Sequence, residues 1–312
     1  MRTTEISQGL KVSNLCIGAG PLGGMPTAFG YDVSEERGIA TVQAVFDSPI
    51  NFMDTSSEYG DSEVRIGKVI REGRMPKGFV IATKADAEGD GTARRGDFSA
   101  KQVRASFELS LERLGLTHID VYFLHDPEKF PFEHVMARGG AMEELLRLKD
   151  EGLVGLVGVA GGDVVEMARY VDTGNLDILL NYGRYTLLDR SADSLIDKAS
   201  DAGMAFLNAG PYASGLLAAP RGGSAWYQYA PPNADALQAV DQLHELCESF
   251  DVSLRSVALQ FSMRDPRITS TVVGLSRPER VRALLDDAAA EIPAELWDQL
   301  PAPLNLPWNS LA

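Results

Sequence analysis

Short apolar runs alternate along the chain with longer segments in which apolar residues recur every three or four positions. The short runs predict strands at Asn14–Gly18, Asn51–Asp54, Phe79–Lys84, Ile119–His125, Val154–Ala160, Ile178–Asn181, Ala205–Asn208 and Thr271–Gly274. They are apolar nearly throughout, the pattern of parallel strands covered on both faces. The longer segments predict helices over Ser34–Ser48, Ser62–Ile70, Ser99–Leu114, Ala141–Glu151, Val164–Val171, Ala192–Ala202, Ala234–Phe250 (with a second helix on to Met263) and Pro278–Ala289. Ser34, Ser62 and Ser99 stand where N-caps belong, and Gly115, Gly152, Gly174 and Gly203 follow helical runs as terminating glycines do. Ahead of the first strand, Thr3–Ser7 and Lys11–Ser13 flank Gly9 and read as a β-hairpin able to plug one end of a barrel.

Eight strands alternating with eight helical segments predict a closed (β/α)8 barrel, a TIM barrel, with an open doubly wound sheet as the rival. No repeat, linker or composition break divides the chain, so residues 1–312 read as one barrel domain. The loop Ala218–Asn233, rich in aromatics, either shapes a substrate pocket or is a solvated insertion.

Composition changes this picture little. A net charge of -15 repels phosphate backbones and argues against nucleic-acid binding. The two cysteines, Cys16 and Cys247, lie in apolar stretches and read as buried free thiols. No run of 18 apolar residues and no signal-type leader occurs, which predicts no membrane partner and a cytoplasmic protein. Nothing in the pattern fixes an oligomeric state.

The chemistry gathers at predicted strand ends. Asp54 ends the second strand, Tyr59 follows in its loop, Lys84 ends the third and His125 the fourth. In a barrel all strand C-termini open onto one face, where active sites are built. Taken singly, each residue could be a loop anchor or a packing group; together they form a working set. A phenol has an unperturbed pKa of about 10, which a nearby ammonium lowers. A carboxylate holds that ammonium charged and oriented. A histidine beside the reacting oxygen adds a hydrogen bond. Such a set suits proton transfer to an oxygen whose carbon gains or loses hydride.

The segment Asn51-Phe52-Met53-Asp54-Thr55-Ser56-Ser57-Glu58-Tyr59-Gly60-Asp61-Ser62-Glu63, with Ile66-Gly67, resembles the signature of the aldo-keto reductases. So do Ala82-Thr83-Lys84 and Leu111-Glu112-Arg113-Leu114-Gly115 leading to Asp120-Val121-Tyr122-Phe123-Leu124-His125. The resemblance spans nearly the whole chain. It implies the (β/α)8 fold, a nicotinamide nucleotide and a small carbonyl or sugar substrate. It also implies Tyr59 as general acid/base, Lys84 and Asp54 as its tuning pair, and His125 as the residue that orients the carbonyl. Arg184-Tyr185-Thr186-Leu187-Leu188-Asp189 is similar to the branch of aldose 1-dehydrogenases acting on galactose, fucose or threo-aldoses, with pyridoxal dehydrogenase nearby.

The resemblance also implies cofactor positions. Asn181 would hold the carboxamide, and the loop with Tyr212, Ser214, Gly215 and Leu216 would cradle the pyrophosphate. Gly274, Ser276, Arg277 and Arg280, where the last strand opens a helix, would hold phosphate. Three departures stand out: Ala160-Gly161 replaces a Ser-Asn pair, Ala209 replaces the aromatic that stacks on the nicotinamide, and Gly274 replaces a lysine common in NADP users. Arg277 and Arg280 still favour NADP, with NAD possible. Tyr31, Trp226 and Tyr227 are candidate pocket aromatics.

Two lookalikes are set aside. Gly18-Ala19-Gly20-Pro21-Leu22-Gly23 fits a dinucleotide fingerprint, but Pro21, Gly24 and Pro26 keep it from opening a helix, and Asp54 lies too far on. His244-Glu245-Leu246-Cys247-Glu248 lacks the second histidine of a zinc protease motif, and no metal is expected. The remaining alternatives are a Schiff-base aldolase acting through Lys84 and a non-catalytic nucleotide-binding barrel.

Overall fold

A computed structural model of the chain describes residues 1–7, 9–87, 96–223, 226–227 and 230–305. It begins with an antiparallel hairpin of Thr3–Ser7 (β1) and Leu10–Ser13 (β2). Eight parallel strands follow: Leu15–Gly18 (β3), Phe52–Asp54 (β4), Val80–Ala85 (β5), Ile119–His125 (β6), Val154–Gly161 (β7), Ile178–Tyr182 (β8), Ala205–Ala209 (β9) and Ser270–Gly274 (β10). β10 hydrogen-bonds to both β9 and β3, so the sheet closes on itself as a (β/α)8 barrel and the open-sheet rival is excluded.

Both faces of each strand are apolar because both are covered, and the alternation separates two cores. Cys16, Phe52, Ala82, Phe123, Leu180, Leu207 and Val272 fill the barrel interior. Leu15, Ile17, Met53, Ile81, Leu124, Leu179 and Phe206 point outward onto the helices. Val12 of the hairpin is fully buried among the interior residues, with Ile6 and Leu10 against them, so β1 and β2 close the N-terminal end of the barrel. Both cysteines are buried thiols, and burial pushes the Cys16 thiol well up.

Capping explains where several helices start. Ser34 accepts from the Arg37 amide and Ser99 from the Gln102 amide, as expected. Ser62 does not cap: it is the first residue of the helix Ser62–Arg71, after Asp61. Its hydroxyl donates to the Ala19 carbonyl and lies 2.9 Å from the Thr55 hydroxyl, tying the loops after β3 and β4 together. Among the described residues no helix is long and apolar enough to cross a membrane.

Candidate active site

Parallel strands deliver their last residues to one mouth. Asp54 ends β4, Lys84 is the penultimate residue of β5, and His125 ends β6; all three share the face of Phe52, Ala82 and Phe123, toward the barrel axis. Lys84 is 1% exposed, a burial that an ammonium tolerates only with partners. It has two: Nζ donates to Asp54 Oδ2 at 2.7 Å and to the Thr55 carbonyl at 2.6 Å. Nζ also stands 4.7 Å from the centre of the Tyr59 ring, and the rings of Tyr59 and His125 meet edge to face with centroids 5.6 Å apart. The structure thus brings together all four residues singled out in the sequence. Burial lifts the Asp54 carboxyl above the usual carboxylate range, and Lys84 pulls it back part of the way.

The loop that carries Tyr59 is held by backbone contacts that only glycine permits. A Cβ on Gly23 would strike the Tyr59 carbonyl, and one on Gly20 would press on the ring of Phe29 and touch that of Tyr59. The Asp61 amide donates to the Gly23 carbonyl at 3.0 Å. The glycines of the false dinucleotide motif therefore seat the Tyr59 loop, and Gly20–Gly23 is one 3-10 turn, not the start of a long helix. The signature residues Gly67, Glu63 and Arg113 do similar work. Arg113 donates to the Ser57 carbonyl and pairs with buried Glu63, while a Cβ on Gly67 would collide with the Arg113 carbonyl of the neighbouring helix.

Strand alternation decides which residue of β8 faces the mouth. Asn181 lies on the outer face with Leu179 and donates to the Gly161 carbonyl at 2.8 Å, its Oδ1 buried without a hydrogen-bond partner. Tyr182, one residue on, packs with the interior set beside Ala209, and its hydroxyl donates to Asp126 at 3.3 Å. Tyr182, not Asn181, is thus the last residue of β8 on the interior face, because β8 runs one residue further than its sequence pattern indicates.

Elsewhere the mouth is lined by loops. After β9, Ala213, Ser214 and Gly215 all adopt positive φ, which turns the chain sharply before Leu216 and Leu217 enter a core with the helices Ala234–Ser249 and Leu254–Met263. A cavity of about 510 Å³ opens beside this turn, lined by Leu217, Pro220, His244, Ser253, Arg255 and Arg280 among others. Arg277 and Arg280 are exposed at the start of the helix Glu279–Ala289, and Gly274 packs against Pro21. Tyr212 is half-buried and packs against both outer cores. Tyr31 and Trp226 are about half exposed, whereas Tyr227 is 6% exposed and belongs to the outer core. Residues 224–225 and 228–229 of the aromatic loop lie outside the described set.

Sequence reasoning did not find Asp86, Asp126 or Glu128. Asp86 accepts from His125 Nδ1 at 2.5 Å. Asp126 follows His125 in a left-handed conformation, φ 44° and ψ 51°, 3% exposed. Glu128 accepts from the Gly162 amide, and burial together with Asp126 raises its carboxyl to about 8. Glu58, Asp86 and His125 offer ligand atoms within 4.8 Å of one another, but Asp86 is already filled by protein donors. The motif Arg184–Asp189 is a structural knot. Arg184 pairs with fully buried Asp189, and Tyr185 stacks on Phe261 while donating to Asp265 at 2.7 Å.

Titratable side chains gathered at the C-terminal mouth of an eight-stranded barrel mark the place where enzymes of this fold build their sites. Residues 14–302 match the Aldo/keto reductase family, and the chain belongs to it. It is 30% identical to pyridoxal 4-dehydrogenase of Microbacterium luteolum, over 94% of each chain. It is 30% identical to D-threo-aldose 1-dehydrogenase of Pseudomonas sp, over 96% of this chain and 97% of that one. It is 32% identical to L-galactose dehydrogenase of Arabidopsis thaliana, over 97% and 95%. Its fold is similar to that of an aldo-keto reductase of Bacillus halodurans in its holo form, with a TM-score of 0.77, 23% identity and coverage of 100% and 99%. The protein is an NAD(P)-dependent oxidoreductase.

Proposed function

We propose that the chain oxidises a hydroxyl of a small polyhydroxylated substrate, an aldose at C1 or a primary alcohol, and reduces small aldehydes in reverse, with Tyr59 as general acid/base. The observation that carries this reading is the buried Lys84, pinned between Asp54 and the Thr55 carbonyl with its ammonium over the Tyr59 ring. A fixed positive charge at that place favours the phenolate, the form that can take a proton from a hydroxyl. The same two hydrogen bonds disfavour a Schiff-base aldolase, which needs the amine lone pair. Sugar and pyridoxal dehydrogenases among the relatives support the substrate class.

The residues around the cavity fit a nucleotide. Its walls combine Leu217–Pro220, which follow the sharp turn at Tyr212, Ser214, Gly215 and Leu216, with the helix starting at Leu254, whose Ser253 makes no side-chain cap and so leaves amides open. Ser276, Arg277 and Arg280 would meet its phosphates. Two exposed arginines on a protein of charge -15 favour the extra phosphate of NADP over NAD. Tyr182 would stand at the mouth in the place first given to Asn181, and with Ala209 small, its ring is the aromatic available there. Tyr31 and Trp226 offer surface for a substrate to cover. When bound, the nicotinamide accepts or supplies the hydride; Tyr59 moves the proton, and His125 holds the reacting oxygen.

The test follows nicotinamide absorbance with NADP+ and NAD+ against L-fucose, L-galactose, D-arabinose and pyridoxal. Turnover of any of these, falling by about 10²–10⁴ in Tyr59→Phe with nucleotide affinity kept, is the expected result. Undiminished turnover in Tyr59→Phe would overturn the role of Tyr59. Activity confined to aldehyde reduction would remove the sugar.

A further inference from the structure

Gly161, the last residue of β7, lies under the carboxyl of Glu128: a Cβ on Gly161 would strike it. Glu128 comes from the turn Pro127–Lys129 that follows β6. Its Oε1 accepts from the Gly162 amide at 2.6 Å and from the Asp163 amide at 3.3 Å, while Oε2 is buried and has no hydrogen-bond partner among the described residues. Burial and the neighbouring Asp126 keep this carboxyl in its acid form up to about pH 8. With the lone pairs of Oε1 engaged by two amides, the hydrogen belongs on Oε2, an O–H that meets no acceptor. Asn181 holds the same glycine, its Nδ2 donating to the Gly161 carbonyl at 2.8 Å, and its Oδ1 is also buried without a partner. The end of β7 is thus held by an acid hydrogen in need of an acceptor and an amide oxygen in need of a donor, the complement of a primary amide.

Register places these groups next to the chemistry. Ala160 is the partner of His125 across β6 and β7, and Gly161 that of Asn181 across β7 and β8. Hydride transfer requires the two reacting carbons at about 3–3.5 Å, and a nicotinamide carries its carboxamide on the ring carbon beside the one that holds hydride.

We propose that Glu128, as a carboxylic acid, donates a hydrogen bond through Oε2 to the carbonyl oxygen of the nicotinamide carboxamide, taking the place of a side chain at position 161. This deepens the function proposed above and rests on the nicotinamide nucleotide it invokes. It also explains the glycine: the carboxyl and a side chain at 161 exclude each other.

The charged and titratable groups around Glu128 come from its own turn and the elements packed on it. Asp126 and Lys129 flank it, 3.4 Å apart, and His125 and Tyr182 meet Asp126 from β6 and β8. The helix Val164–Val171 and its cap bring Asp163, which takes the Val165 and Glu166 amides, and Tyr170, whose phenol is pushed up in part by Glu128. Arg169 of that helix is paired with Glu166 and with Glu133. The charge acting most on Glu128 is therefore Asp126, which disfavours the carboxylate.

The test measures binding of NADPH or NADH, whichever the protein holds more tightly, by nicotinamide fluorescence on both sides of pH 8; the reduced ring is uncharged. The same nucleotide without its nicotinamide, 2′-phospho-ADP-ribose or ADP-ribose, is measured beside it by calorimetry. The dinucleotide should bind evenly up to about pH 8 and then weaken by about tenfold per pH unit, as the donor becomes a carboxylate facing the carbonyl oxygen. The truncated nucleotide should show no such fall. Glu128→Gln, which keeps a donor, should lose the pH dependence; Glu128→Ala should weaken the dinucleotide about tenfold and leave the truncated nucleotide unchanged. Equal weakening of both nucleotides in Glu128→Ala would mark a merely structural residue and overturn the proposal, as would a wild-type affinity that is flat across pH 8. The wild-type profile and Glu128→Gln decide even if Glu128→Ala does not fold. Tight binding that ignores Glu128 defeats this proposal alone, whereas failure of the wild type to bind either dinucleotide defeats the proposed function and this proposal with it.

Discussion

Lys84 and Asp54 show what a buried ion pair does at the scale of single residues. Both are almost fully enclosed, and each is tolerable only because the other is present. Lys84→Met keeps the length of the side chain and leaves Asp54 without its cation, so the carboxyl takes up a proton or remains a buried charge. Removal of one partner from such a pair costs about 3–5 kcal/mol, and we expect a loss of that order in urea unfolding, together with near-complete loss of turnover. The gathering of Asp54, Tyr59, Lys84 and His125 was legible in the sequence because each ends or closely follows an apolar run, where a polar group without a task is costly. Asp86 was not legible. It sits just past a strand in a segment with no periodicity, and its meaning comes only from the Ser56–Glu58 turn folding over it. Asn181 and Tyr182 show how narrow the margin is: one residue at a strand end exchanges the face toward the barrel interior for the face toward the helices.

Elements meet here through glycine and through loops that bury charge. At Gly23 the turn after β3 touches the Tyr59 loop backbone to backbone. Gly23→Ala should cost about 1–3 kcal/mol in unfolding free energy and lower kcat at least tenfold, because the loop can accommodate the methyl only by moving Tyr59. Retained wild-type kcat would mean that the loop yields elsewhere. Glu128, in the turn after β6, titrates near 8 in the folded chain against about 4.3 when unfolded. Between those values the unfolded chain loses a proton that the native one keeps, so this residue makes stability fall as pH rises from about 4 to about 8. In Glu128→Gln the drop in unfolding free energy between pH 5 and pH 8 should shrink by about 1–2 kcal/mol, well under the 1.36 kcal/mol per unit limit because Glu128 is only partly buried. An unchanged slope would show that another group carries it. Helix and strand identity was readable from period and punctuation. The capping role of Ser62 was misread because its hydroxyl is drawn to the Ala19 carbonyl by contacts distant in sequence.

For the whole molecule, closure follows from register: β10 lies beside β3 and no sheet edge is left among the eight strands. Eight alternating units were enough to favour the barrel, and the hairpin was readable from Gly9 and its flanks. Its packing inside the barrel end was expected only as a possibility, since β1 alternates between exposed and half-buried residues and only Val12 of β2 reaches the interior core. Removing residues 1–13 should uncover that core, giving a chain that keeps its far-ultraviolet dichroism but binds a hydrophobic dye and melts earlier. Unchanged melting would mean the barrel end needs no cover. The seal has a kinetic corollary. With one end stoppered by Val12 and the bore filled by Phe52, Phe123 and Leu180, both reactants share a single doorway. Two molecules using one doorway must queue: whichever lies deeper enters first and departs last, and product-inhibition patterns will read out that order.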